Sequence, residues 1–264
     1  MSFQFAISDD VRHRVEDGVL WVTVDRPEKH NPLSLGVLER IRLVFTEAVA
    51  RDDIRVAVLT GAGDRAFASG GDLAELAGYR TREQAEAVSR HGKAALDAIR
   101  LFPVPVIARV NGLALGGGAE LALACDQRYA AAHARIGFIH GRLAIAASWG
   151  GGNDLVRLIG PARALRMMAT AAALEAVQAQ ELGVLDLVCP EETDFDAWFA
   201  EQLAPFQRHP RQVAQAYKSL ASGSRGPDRA DSDALATRHF GEVWAHPDHW
   251  EAVARLATKQ GKAE

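Results

Sequence analysis

The chain has 264 residues, 48% hydrophobic and 24% charged, with a formal net charge of -4. That supplies one sizeable core, without the basic footprint of a nucleic-acid binder or a Lys/Arg run suited to an anionic membrane surface, so a small-molecule partner is expected. Cys125 and Cys189, far apart, offer neither a disulfide framework nor a CxxC zinc site, and the nine histidines lack ligand spacing, so no metal is expected.

The opening MSFQFAISDDVRHRVEDG lacks the apolar stretch of a signal peptide, and no apolar run approaches the length of a bilayer span; a reducing, cytoplasmic setting is expected. Residues 11 to 24 read as two antiparallel strands joined by the turn signal Asp17-Gly18. Ser34 caps a helix whose apolar residues recur at helical spacing, and VAVLT (56 to 60) is a short buried strand. A second helix, 82 to 101, ends before Pro103 and Pro105, and VIARV (106 to 110) is again a buried strand. A glycine run then opens a helix. RYAAA (128 to 132) and VLDLV (184 to 188) read as strands, with helices near 161 to 169 and 175 to 182. Beyond about 194 only helical stretches follow, around 194 to 204, 210 to 221 and 231 to 258, with a polar loop at 222 to 233. The division is an α/β core over 1–195 and a helical region over 196–264, with no repeat visible in the sequence.

Two segments share one design: VAVLTGAGDRAFASGGDL (56 to 73) and VIARVNGLALGGGAEL (106 to 121) each run from buried strand through glycine-rich turn to helix start. Glycine lets the backbone turn sharply and leaves N–H groups uncovered by any Cβ. A helix N-terminus adds unpaired donors and partial positive charge, which suits an oxygen that gains negative charge during a reaction.

FASGGDL and NGLALGGGAELALACD resemble the F-x-x-G-x-D-[LI] and N-G-x-A-x-G-G-G-x-E-L-x-x-x-C-D segments of the crotonase (enoyl-CoA hydratase/isomerase) superfamily. RPEKHNPLS (26 to 34) resembles a third segment, and the match runs in order over about residues 18 to 190. The resemblance implies a crotonase-like spiral of ββα units with a C-terminal α-helical region. It implies an acyl-CoA substrate with no further cofactor, coenzyme A being part of the substrate. A homotrimer or dimer of trimers is also implied, its tail helices packing on a neighbouring subunit and covering the CoA. The family's oxyanion-hole donors map to the N–H groups of Gly71 and Gly117, and one of its two catalytic carboxylates to Glu120. Ala68, Gly70, Asp72, Leu73 and Gly116 surround those donors and join the expected substrate-binding set, with Trp149 near the acyl pocket and Lys29 and His30 placed to meet the CoA phosphates.

One segment departs from the pattern. Where hydratases of the family carry F-x-x-P-E-x-x-x-G-x-x-P-G, this chain has IGFIHGRLAIAAS (136 to 148), which puts His140 at the second Glu, Ile139 at the Pro and Ala147-Ser148 at the Pro-Gly. Hydration needs one group to take a proton from water and another to give one to the α-carbon, and histidine can do either. The expected reaction is hydration of a 2-enoyl-CoA, with Glu120 as the base that activates water and His140 as the acid that shares the proton transfers. Isomerisation, thioester hydrolysis or β-diketone C–C hydrolysis stand as alternatives, as does a CoA-binding protein without turnover.

Three weaker signals compete. Gly61-Ala62-Gly63-Asp64-Arg65-Ala66 fits a dinucleotide G-x-G-x-x-A, although no good helix follows it. Ala146-Ala147-Ser148-Trp149-Gly150 resembles a nucleophile elbow, with His239, His246 and His249 downstream as bases. Tyr217 and Lys218, on a late amphipathic helix, read as a core residue and a solvated charge.

Overall fold

The computed structural model describes residues 6–223, 234, 237, 238, 240–242 and 244–260. β1 (Val11–Glu16) and β2 (Val19–Val24) form the expected hairpin, its turn made by Asp17 and Gly18 at φ 51° and 78°. Left-handed dihedrals at both turn residues match the right-handed twist of the strands they join.

The hairpin begins a six-stranded sheet ordered β1-β2-β3-β5-β7-β10, with β3 (Val56–Gly61), β5 (Val106–Val110), β7 (Gln127–Ala130) and β10 (Leu187–Val188) all parallel to their neighbours. β3 is buried along its whole length, which is why it reads as an unbroken apolar run rather than an alternation. The remaining strands form a second sheet ordered β4-β6-β8-β9: β4 (Ala66–Ala68), β6 (Leu113–Leu115), β8 (Arg135–Gly137) and β9 (Ala173–Glu175). The chain thus places one strand in each sheet and then a helix, three times over, as β3-β4, β5-β6 and β7-β8. This is the spiral of ββα units, repeated in elements although not in residues.

Helices fill the turns of the spiral. In α1 (Leu35–Ala48) the Ser34 side chain accepts from the Val37 N–H, and Leu38, Ile41 and Phe45 face the core at i, i+3, i+7 spacing. A four-residue α2 (Leu73–Leu76) precedes α3 (Arg82–Arg100), which opens on a capping box between Thr81 and Gln84. Then come α4 (Gly117–Ala124), α5 (Gly151–Ile159), α6 (Pro161–Ala169) and α7 (Ala176–Leu182). The sequence reading missed α5 because glycines and Asn153 occupy its first turn, where propensity is poor. It missed the second sheet because three-residue strands are too short to show alternation.

The first helix of the C-terminal region, α8 (Phe195–Arg208), lays Phe199 and Leu203 on Val19, Val56, Val58, Ile107 and Tyr129 and so closes the outer face of the large sheet. On α9 (Arg211–Gly223) the two residues singled out from sequence exchange roles. Tyr217 is exposed, whereas Lys218 is buried and ion-paired with Asp126, whose carboxylate also accepts the Val106 N–H. The anchored carboxylate of Asp126, two residues beyond the Ala124 end of the glycine-led helix, thus draws the Lys218 side chain inward. The loop residues 224–233 lie outside the described residues. The last helix (Pro247–Gln260) folds back onto the 3-10 turn Ile139–Leu143 of its own chain.

Candidate active site

The two glycine turns, the 3-10 turn after β8 and the loop before α5 meet around a cavity of about 240 Å³. Gly70, Gly71, Gly116, Gly117, Glu120, His140 and Trp149 all line it, so residues separated by up to 79 positions meet at one cavity. Its other walls are mostly apolar, from Leu73, Leu76, Val88, Leu143, Ile145, Phe240 and Trp244.

Asparagines set the positions of the turns. Buried Asn31, at φ 54°, accepts the Arg26 N–H and donates to the carbonyls of Ala62 and Ala66. Buried Asn111 accepts from Gly61 N–H and donates to the Gly61 and Gly63 carbonyls. Side-chain amides therefore complete the backbone hydrogen bonding where β3 crosses to β4. The segment proceeds into β4 and not into a helix, which removes the dinucleotide-loop reading of Gly61–Ala66. Downstream, the Leu33 N–H donates to the Gly70 carbonyl and the Asp72 N–H to the Leu33 carbonyl, leaving the Gly71 N–H on the opposite side. Gly116 takes φ 54° and ψ -122°, a conformation left essentially to glycine, and turns the chain so that α4 starts at Gly117 with its first N–H groups uncapped. Among the described residues neither the Gly71 nor the Gly117 N–H donates to a protein acceptor. A Cβ built on either glycine would meet the same atom, Trp149 Cη2, at 3.8 Å and 2.8 Å respectively, so both turns press on one indole.

Glu120, 1% exposed, stands one turn into α4 beside these amides. Its Oε2 accepts the N–H groups of Trp149 (2.9 Å) and Gly151 (3.0 Å), and its Oε1 accepts that of Ser148 (3.3 Å) and lies 3.2 Å from His140 Nε2. A carboxylate has about four acceptor positions, and here all four are taken. The loop holding it is itself held: Ser89 Oγ donates to the Ser148 carbonyl, and Arg100, paired with Asp154, donates to the Trp149 carbonyl. His140 Nδ1 is buried without a partner among the described residues, so Glu120 is the ring's one polar anchor there.

Other expected residues fall elsewhere. Asp72 caps α2 and pairs with Arg26 at 2.8 Å, away from the cavity wall. Ala68 is buried in β4, its carbonyl against Gly118. Lys29 is exposed, and the His30 carbonyl accepts the Ser69 N–H beneath the Gly70–Gly71 loop; neither side chain lines the cavity. Ser148 does line it, yet its backbone serves Glu120, and His249 binds Leu143 in place of the serine, contrary to the nucleophile-elbow reading; His239 lies outside the described residues. Sequence reasoning missed Arg142, and it missed Phe240 and Trp244, whose apolar character in a helical tail carries no sign of where the tail folds.

That tail is pinned by His249, 1% exposed, whose Nδ1 lies 2.6 Å from the Leu143 carbonyl and whose ring packs on Trp244 and Trp250. Burial pushes the imidazole below its ordinary value of 6.5, against the opposing pull of the Leu143 carbonyl. Its Nε2 is buried without a partner among the described residues, an arrangement suited to the neutral ring. Docking of the tail is therefore full above 6.5 and weakens as pH falls below that toward the lowered folded value. Hydrogen exchange over residues 240–250, followed from about pH 8 to about pH 5, should show protection lost at the acid end in the native chain and a flat profile in His249→Phe. Equal acid sensitivity in both would assign the loss to another group.

A family model described as enoyl-CoA hydratase/isomerase matches residues 14–260. The chain is 40% identical over 169 residues to YngF of Bacillus subtilis, spanning 63% of this chain and 64% of that protein, just under two thirds of its length. It is 31% identical over 242 residues to the ethylmalonyl-CoA decarboxylase of Bos taurus, covering 90% and 78% of the two chains. Among solved structures, an enoyl-CoA hydratase from Bacillus anthracis superposes with a TM-score of 0.78 at 30% identity, covering 95% of this chain and 97% of that one. With the spiral fold and the two converging glycine turns, these matches place the chain in the enoyl-CoA hydratase/isomerase family.

Proposed function

We propose that the cavity binds an acyl-CoA thioester with its carbonyl oxygen between the N–H groups of Gly71 and Gly117, and that the chain hydrates 2-enoyl-CoA substrates. The observation that carries this is the Glu120/His140 pair set beside two amides that have no protein acceptor among the described residues. Each such donor contributes about 3 to 4 kcal/mol when negative charge moves onto the oxygen. Polarised in this way, the β-carbon of an enoyl thioester becomes electrophilic. With every acceptor position of Glu120 engaged, His140 is the group that moves protons. It takes one from the attacking water while the hydroxyl bonds to the β-carbon, and it returns one to the α-carbon as the enolate collapses. Because Nδ1 is buried, the proton passes through Nε2, the nitrogen that also faces Glu120 Oε1 at 3.2 Å, and the carboxylate orients the ring and balances the imidazolium.

A second reading has its own support, because a carboxylate with no free acceptor position is poorly placed to hold the attacking water. Decarboxylation of a 2-carboxyacyl-CoA uses the same enolate: the bond from the α-carbon to the carboxylate breaks, carbon dioxide leaves, the electron pair is held at Gly71 and Gly117, and His140 protonates the α-carbon. The 31% identity to a decarboxylase over 90% of this chain favours the same reading.

One panel separates these. Incubation with crotonyl-CoA is expected to give the water adduct, 3-hydroxybutyryl-CoA, by mass spectrometry. Release of carbon dioxide from ethylmalonyl-CoA without any adduct would select decarboxylation. A shifted double bond, free CoA, or cleavage of a β-diketone substrate would select the isomerase or one of the hydrolases. Binding of all substrates without product would leave a CoA-binding protein.

A further inference from the structure

An exposed cation on the cavity wall is used by none of this chemistry. Arg142 lies two residues beyond His140 on the same 3-10 turn, and among the described residues lining the cavity it is the only Lys or Arg. Its Nε and Nη2 both donate to one carbonyl, that of Ala171, at 3.1 and 2.9 Å. No carboxylate among the described residues lies within ion-pair distance of it, whereas Arg26, Arg42, Arg82 and Arg100 are all paired.

The geometry of the guanidinium decides what remains. Bonding through Nε and one hydrogen of Nη2 consumes the side edge of the fork. Both hydrogens of Nη1 and the second of Nη2 are left, and together they make the end-on edge that matches two oxygens of a carboxylate or phosphate. The tether to Ala171 orders the long side chain before any ligand arrives, so little rotamer freedom is lost on binding. Apart from this residue the lining offers an acyl chain mainly carbon, and Glu120 is already saturated. Beyond the Gly71 and Gly117 N–H groups and His140, which the reaction itself engages, an anionic oxygen pair on the ligand has Arg142 as its partner.

We infer that Arg142 receives a carboxylate carried by the acyl group, so that the preferred substrates are CoA thioesters of dicarboxylic acids. The inference rests on the acyl-CoA reading of the cavity and narrows its substrate class. Phosphates of the CoA moiety offer similar oxygens. They stand a full pantetheine arm from the thioester, whereas Arg142 is two residues along the same 3-10 turn from the residue assigned to the reacting carbons and lines the same cavity.

Equilibrium binding of two saturated thioesters, glutaryl-CoA and pentanoyl-CoA, tests this without requiring turnover. The wild-type chain should bind glutaryl-CoA roughly tenfold or more tightly than pentanoyl-CoA. In Arg142→Gln that preference should shrink to within about twofold, and Arg142→Lys should keep part of it, because charge persists while the fork is lost. The same preference should appear with glutaryl- and pentanoyl-pantetheine, which lack the phosphates. An unchanged preference in Arg142→Gln would overturn the assignment. So would an equal loss of affinity for both acyl groups that occurs only in the CoA series, which would place the guanidinium on the phosphates. If the wild-type chain binds both acyl groups without preference, this inference alone fails; if it binds neither, the acyl-CoA reading fails with it.

Discussion

Glu120→Gln is expected to lower kcat by about 10³-fold while the Kd for an acyl-CoA changes little. The substitution is nearly isosteric, but it is not chemically mild at this position. Four donors converge on the carboxylate: the N–H groups of Ser148, Trp149 and Gly151, and His140 Nε2. Glutamine supplies a single acceptor oxygen and adds an NH₂ group that must face at least one of those donors. With the residue 1% exposed, water cannot supply the missing acceptor, and the cost is about 1 to 3 kcal/mol of stability. His140 loses both its orientation and the charge that balances its protonated form, which is where the rate falls. The thioester contacts assigned to Gly71 and Gly117 are untouched, so binding should survive. Steady-state turnover, calorimetric affinity and thermal unfolding together separate these effects. Turnover retained at the wild-type level would remove Glu120 from the chemistry whatever the stability change.

How much of this was legible in the sequence depended on whether the information was local. Strands β2, β3 and β5 and helices α1 and α3 announce themselves because apolar spacing and capping residues are local, and the structure follows those readings closely. Glu120 and Gly117 were readable as neighbours because three helical positions separate them. The meeting of Glu120 with His140 was readable only through the family pattern, since nothing local relates a residue in α4 to one on a turn 20 positions later. The three backbone N–H groups on Glu120 were beyond the sequence altogether, because backbone donors carry no residue signature. Asn31 and Asn111 stood inside the quoted motifs, and their role emerged only with the turn they complete. Lys218 was misread because its partner, Asp126, is distant in the chain. Phe240 and Trp244 belong to the same class: where a tail docks is a long-range property.

Gly117→Ala is expected to reduce kcat by about 10²-fold, and a second substitution at Trp149 should restore part of that loss. A Cβ at position 117 would stand 2.4 Å from Trp149 Cζ3 and 2.8 Å from Cη2, distances at which something must move. The indole has nowhere to go, because its opposite edge rests on Gly92 of α3, so closely that a Cβ there would come within 2.4 Å of Nε1. The start of α4 must therefore shift, carrying the Gly117 N–H away from the thioester oxygen, and overpacking of this kind costs about 1 to 3 kcal/mol. A displacement near 1 Å is enough for a loss of about 10²-fold in rate. Trp149→Phe shortens the ring on the side facing Gly117 while leaving the Trp149 backbone N–H free to serve Glu120. In the Gly117→Ala, Trp149→Phe double variant the added methyl gains space and the amide can return. Two outcomes carry the argument: the single Ala variant slow but folded by circular dichroism, and the double variant faster than that single variant. If Gly117→Ala runs at the wild-type rate with an unshifted Tm, the amide at the head of α4 is not where charge develops, and the oxyanion site must be sought elsewhere in the cavity.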